Sequence, residues 1–111
     1  MTFGRQPWRR QLLAIEFSLA AEEDLLGIFL YGIREHGLAQ AEFYKNQLEQ
    51  AFQIISDNPK VARLRQEISP AVRVYPAQRH LIIYMVLDDT HTAYVLRIRH
   101  HSENWTQRPT K

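Results

Sequence analysis

Apolar positions along the chain change period once, near residue 70, and the change divides the sequence into a helical part and a strand part. Leu12-Leu13-Ala14-Ile15-Glu16-Phe17 is a short apolar run that reads as a strand and stops at Ser18. Ser18 suits a helix N-cap, because its hydroxyl can accept from an amide that the first turn leaves unpaired. Glu22, Glu23 and Asp24 follow where negative charge favours the positive end of the helix dipole. Ala21, Leu25, Ile28, Phe29 and Ile33 keep helical spacing, and Gly37 supplies a stop. A second helix is predicted from Leu38 to Asp57, with Ala41, Tyr44, Leu48, Ala51, Phe52 and Ile55 on one stripe. Asn58-Pro59 ends it, since proline cannot continue the hydrogen-bond ladder. The short link at Gly37 makes the pair an antiparallel hairpin.

Beyond residue 70 the period is two. Val72 to Tyr75 reads as a short strand and His80 to Leu87 as a longer one. The longer strand is apolar at nearly every position, as suits a central strand covered on both faces. Asp88-Asp89-Thr90-His91 makes a polar turn before a last strand from Thr92 to His100. The fold class is therefore α+β: an N-terminal strand, an antiparallel helical hairpin, then a three-stranded antiparallel meander whose sheet the first strand joins. Alternation assigns faces. Tyr94, Leu96 and Ile98 are expected to meet the helices, with Val95, Arg97 and Arg99 opposite. Arg73 and Tyr75 oppose Val72 and Val74 in the same way, so Arg73, Arg97, Arg99 and Tyr84 are expected to gather on the helix-free face, with His100 and His101 at its lip.

Length changes the picture little: 111 residues, 45% of them apolar, make one globular domain with a single core. Residues 12–106 are assigned to that domain, 1–11 to a loose basic leader and 107–111 to a C-terminal tail. No apolar run approaches the roughly 20 residues needed to cross a bilayer, and the leader lacks the apolar stretch of a secretory signal. The absence of cysteine removes disulfides and thiolate metal sites, which fits a cytoplasmic protein. A net charge of +2 permits an acidic or nucleic-acid partner without demanding one.

The arginines of the second half carry the candidate chemistry. As a solvated face they would make local ion pairs; as a basic platform they would grip a partner carboxylate or an RNA phosphate through paired guanidinium bonds. RNA cleavage needs an acid, a base and cationic stabilisation of the phosphate, for which His100 or His101, Glu67, and Arg97 or Arg99 are the available groups. His80, His91, His100 and His101 lack metal-ligand spacing, and neighbouring residues on a strand point to opposite faces, so no metal site is expected. With four glycines, no phosphate loop is expected either, and no cofactor is implied. Trp105 is expected either to pack on the end of the sheet or to serve as an exposed interface anchor, while Tyr31 and Tyr44 should line the core or a groove with their hydroxyls at the rim.

The order of short motifs is more specific than any one of them. Ser18-x-x-Ala21-x-x-Asp24-Leu25 leads to Gly37-x-x-Gln40-Ala41-x-x-Tyr44, then Asn58-Pro59 and Glu67-Ile68-x-Pro70-x-Val72-Arg73. Arg79-His80-Leu81-Ile82-Ile83-Tyr84, Val95-Leu96-Arg97-Ile98-Arg99-His100 and Trp105 complete it. This succession resembles the ParE-type toxins of type II toxin–antitoxin systems, in the RelE/ParE superfamily, over nearly all of the chain beyond the first dozen residues. The leader lies upstream of that pattern, as a misplaced start codon would explain.

The resemblance implies a plasmid-stabilisation-type toxin that inhibits DNA gyrase. It implies neutralisation by a ParD-like ribbon-helix-helix antitoxin, which would carry operator DNA binding for the complex. The antitoxin's C-terminal segment would lay an amphipathic helix on the hairpin groove and extend along the sheet. Arg73, Arg97, Arg99, Tyr84 and Trp105 become the partner-binding candidates. The alternative is a ribosome-dependent mRNA interferase of the RelE type, using His100, His101, Arg97, Arg99 and Glu67. Against it, His101-Ser102-Glu103 stands where such nucleases often carry a terminal aromatic residue, and Lys45, Lys60 and Lys111 are scattered. Glu103-Asn104-Trp105 resembles the ParE ending, with asparagine where that ending commonly has an acid. A degenerate member that survives as an interaction module is the third reading.

Overall fold

A computed structural model describes residues 15–107. Strand β1 (Ile15–Phe17) leads into α1 (Leu19–His36) and α2 (Leu38–Asp57). Strands β2 (Leu64–Arg65), β3 (Val72–Ala77), β4 (His80–Leu87) and β5 (Thr92–His100) follow, and a 3₁₀ turn (Trp105–Gln107) ends the described residues. The five-stranded sheet has the order β1-β5-β4-β3-β2; β1 runs parallel to β5, and every other pair is antiparallel. The two-residue edge strand β2 is the element that periodicity did not give, since two residues carry no period. The leader and the residues beyond Gln107 lie outside the described residues, as do Leu12 to Ala14 of the first predicted strand.

The helix ends follow the local signals. The amide of Ala21 donates to Ser18 Oγ at 3.0 Å, and Gly37, at φ 90°, turns the chain between the helices with its N–H on the Ile33 carbonyl. A side chain at Gly37 would be strained in that left-handed conformation.

The sheet is covered on both faces. On the helix side Ile15, Phe17, Leu48, Phe52, Ile55, Ile82, Tyr84, Val95 and Ile98 form the main core, with Phe17 and Phe52 edge-to-face at 4.9 Å. On the other side Ile68, Val72, Ile83 and Trp105 form a second cluster, joined by Val74, Leu81, Met85 and Leu96. Central strand β4 therefore feeds both cores, as its continuous apolar run required.

Because both faces are apolar, parity could not tell which one meets the helices, and two face assignments are corrected. In β3, Tyr75 and Ala77 pack towards the helices and Val72 and Val74 away from them. In β5 a bulge does the rest: Ile83 pairs with Arg97 but Tyr84 pairs with Val95, so Leu96 has no partner and the alternation slips by one. Val95 accordingly sits in the helix-side core and Leu96 on the far face, the reverse of the expectation, while Ile98 faces the helices as expected.

Candidate functional site

The hairpin is closely joined within itself: a Cβ added at Gly32 would lie 3.2 Å from that of Ala41. Its proximal half is anchored through buried Ala21, Leu48, Ala51, Phe52 and Ile55, although Leu19, Leu26 and Ile54 stay exposed there, whereas Leu30, Tyr31, Leu38 and Phe43 of the distal half are all more than half exposed. An open groove of about 1110 Å³ runs along this half to the ends of β4 and β5. Leu25, Leu26, Ile28, Phe29 and Phe43 supply its apolar lining, and Arg79, His80, Ile98, His100 and Glu103 lie at the sheet end.

A ring cluster occupies that end. The β3–β4 turn places the amide of Arg79 3.1 Å from the Tyr44 hydroxyl, to which it donates, and that hydroxyl lies 2.6 Å from His80 Nδ1. The imidazoles of His80 and His100 meet edge-to-face at 5.4 Å, and those of His100 and His101 stack at 4.5 Å. Adjacent histidines were expected on opposite faces, but β5 ends at His100 and His101 belongs to the following turn, where alternation no longer applies. His100 Nδ1 lies 2.7 Å from Ser102 Oγ and accepts from the Ser102 amide at 3.2 Å. Burial, reinforced by the neighbouring His100, lowers the His80 pKa to about 4, so His80 is neutral at pH 7; burial raises that of Tyr44. Among the described residues no group of three or more His, Cys, Asp or Glu could hold a metal ion.

Asp24 is the residue that sequence reasoning missed. Past Val95, β5 no longer has β1 beside it, so its outer backbone groups would be an open edge. Asp24 accepts from the Ile98 amide at 2.9 Å and receives Arg97 in a fork at 2.8 and 2.9 Å. Ser18 Oγ donates to the Leu96 carbonyl at 2.7 Å, and Glu103 accepts from the His100 amide at 2.8 Å. Side chains thus cap the exposed edge. The Ser18–Ala21–Asp24 spacing, which turns one side of α1 towards β5, was the available signal.

The expected arginine platform is not assembled. Arg97, 16% exposed at its side chain, is held by Asp24, whose hydrogen bonds raise its pKa. Arg73 shares the helix-side face with Tyr75 and donates to the Ala62 carbonyl at 2.6 Å. Arg99 is largely buried, with its Nε enclosed and unpartnered and Nη1 3.7 Å from Glu103. Tyr84 has no exposed surface and donates to the Pro59 carbonyl at 2.7 Å, which corrects its placement on a helix-free face. Trp105, 7% exposed, packs on the far face of the sheet, with the Arg65 guanidinium 5.9 Å from its ring centre, so the packing expectation describes it and the exposed anchor does not.

The acid–base set is not assembled either. Glu67 follows edge strand β2, bonds Arg65 at 2.6 Å and lies 3.6 Å from Arg63. The Arg65 bond lowers its pKa to about 2, which makes it a weak base. His100 and His101 come together, but with His80 and Tyr44 rather than with Arg97 or Glu67.

Comparison with known proteins agrees with this architecture. No curated protein matches the sequence. Among solved structures, a chain of the chromosomal ParDE toxin–antitoxin system from P. aeruginosa superposes with a TM-score of 0.67 at 15% identity, covering 81% of this chain and 97% of that one. At that identity the likeness speaks for the fold. The family model of the ParE toxin of the type II toxin–antitoxin system parDE matches residues 15–105, from the first described strand through Trp105, and the chain therefore belongs to the ParE toxin family.

Proposed function

We propose that the chain is a binding-type toxin that engages and traps DNA gyrase without itself catalysing a reaction, and that a ParD-like ribbon-helix-helix antitoxin neutralises it. The observation that carries the antitoxin half is the groove: an apolar hairpin surface that the other described residues leave open and that could take an amphipathic helix. The antitoxin would bring operator DNA to the complex through its own DNA-binding half. The commitment of Glu67 to Arg65 at the β2 edge and of Arg97 to Asp24 favours a binding toxin over an mRNA interferase. A cytoplasmic location follows from this role.

Pulse-labelling in the minutes after the gene is induced alone tests the target. Early loss of thymidine incorporation with translation intact is the expected result; early loss of methionine incorporation would transfer the protein to the interferase class. For the partner, Phe43→Glu should abolish binding of the co-expressed antitoxin, and retained binding would remove the groove from the interface.

A further inference from the structure

Resting on the groove reading above, we propose that the Tyr44 hydroxyl is a positioning group for the groove: it joins α2 to the β3–β4 turn and so sets the angle at which the hairpin meets a partner helix. Two of the motifs singled out in the sequence come together here, Gly37-x-x-Gln40-Ala41-x-x-Tyr44 on α2 and Arg79-His80 at the start of β4. The hydroxyl accepts from the Arg79 amide at 3.1 Å and lies 2.6 Å from His80 Nδ1, a hydrogen bond whichever of the two carries the proton. The rings of Tyr44 and His80 also meet edge-to-face at 5.6 Å, and Tyr44 packs against the main core. One hydroxyl thus holds a backbone group and a side chain of the same turn, which fixes direction as well as distance.

The tie sits where α2 leaves the core. Leu48, Phe52 and Ile55, through which α2 joins the main core, all lie C-terminal to Tyr44. On its N-terminal side Leu38 and Phe43 are more than half exposed, and Ala41 is buried beside Gly32 of α1. Among the described residues, no hydrogen bond or ion pair joins residues 38–43 to the sheet. Leu38 lies about 9 Å along the helix from Tyr44, at 1.5 Å per residue, so a tilt at Tyr44 moves the exposed half. On α1, Asp24 makes a matching tie to β5, and both Asp24 and Tyr44 line the groove. A partner that meets a groove of fluctuating angle finds the competent form only part of the time, and its apparent affinity falls by that fraction.

The test uses the full chain, whose sequence has no cysteine, with Glu16→Cys in β1 and Glu42→Cys in α2 carrying spin labels at two exposed positions. Tyr44→Phe keeps the ring and removes only the hydroxyl. In the free protein it should widen the distribution of label distances about twofold by pulsed electron paramagnetic resonance, while urea unfolding establishes that the variant is folded. The purified antitoxin should then associate about tenfold more slowly and dissociate within about twofold of its former rate. An unchanged distance distribution in folded Tyr44→Phe overturns the proposal, and so does an unchanged association rate. Faster dissociation alone would make the hydroxyl a contact instead of a positioning group. The label distances are read without a partner, which separates the tie from the groove reading: antitoxin binding that survives Phe43→Glu defeats that reading, whatever the labels do.

Discussion

The two halves of the helical hairpin obey the same periodicity and meet different fates. Near the sheet, Leu48, Phe52 and Ile55 are at most 2% exposed and close the core over β3, β4 and β5. At the distal end, Leu30, Tyr31, Leu38 and Phe43 are each 54–56% exposed. The buried proximal residues Leu48, Phe52 and Ile55 are explained by folding. Distal ones contribute little to the folded chain, and their cost in exposed apolar surface is the argument for a partner.

Substitution at matched positions is the sharpest way to break that contrast. Phe52→Ala should cost about 3–5 kcal/mol in urea unfolding, whereas Phe43→Ala should stay within about 0.5 kcal/mol. Equal losses would mean that the distal half belongs to the core after all. Next comes the Asp24 cap, which anchors the proximal end of α1 to the uncovered edge of β5. Asp24→Ala leaves Arg97 and the Ile98 amide unpartnered and should cost about 3 kcal/mol, again read by urea unfolding.

A smaller effect lies at the sheet end of the groove. His80 has a folded pKa of about 4 against an ordinary 6.5, so the unfolded chain binds the extra proton between those values. Stability from this group is complete above pH 6.5 and is lost as pH falls towards 4. Full burial would make the loss about 3 kcal/mol, but the ring is partly open to water, and ~1 kcal/mol is expected. His80→Gln should flatten that part of the pH profile; an unchanged profile would assign it to other groups.

The smallest effect has the opposite sign. Gly27 lies inside α1 on the groove wall, with nothing within 4 Å of where a Cβ would stand. Gly27→Ala should raise stability by about 0.5–1 kcal/mol, because alanine loses less backbone freedom in a helix. If the groove holds a partner helix, the same change should weaken antitoxin binding, so gain in one assay and loss in the other would set the distal half apart from the core.

How much of this was legible depends on the range of the interaction. Ser18, Gly37 and Asn58-Pro59 mark the helix ends through contacts with near neighbours, and they act where the pattern placed them. The candidate site was legible only in part: His100 was singled out, while its company was not, since Tyr44 meets His80 across 36 residues. The arginines misled because charge on alternate positions looks like a surface until the pairing register is known.

Composition and local pattern were enough, by themselves, to determine the two helices, the three long strands, their order and the family resemblance. These are set by hydrogen bonding and side-chain spacing within a few residues of chain. Only the tertiary structure decided which sheet face the helices cover, that a bulge at Leu96 reverses the parity of β5, that Asp24 claims Arg97, and that the other described residues leave the distal hairpin open. Each of those outcomes is a competition between distant groups for one another or for water, and no local spacing records who wins.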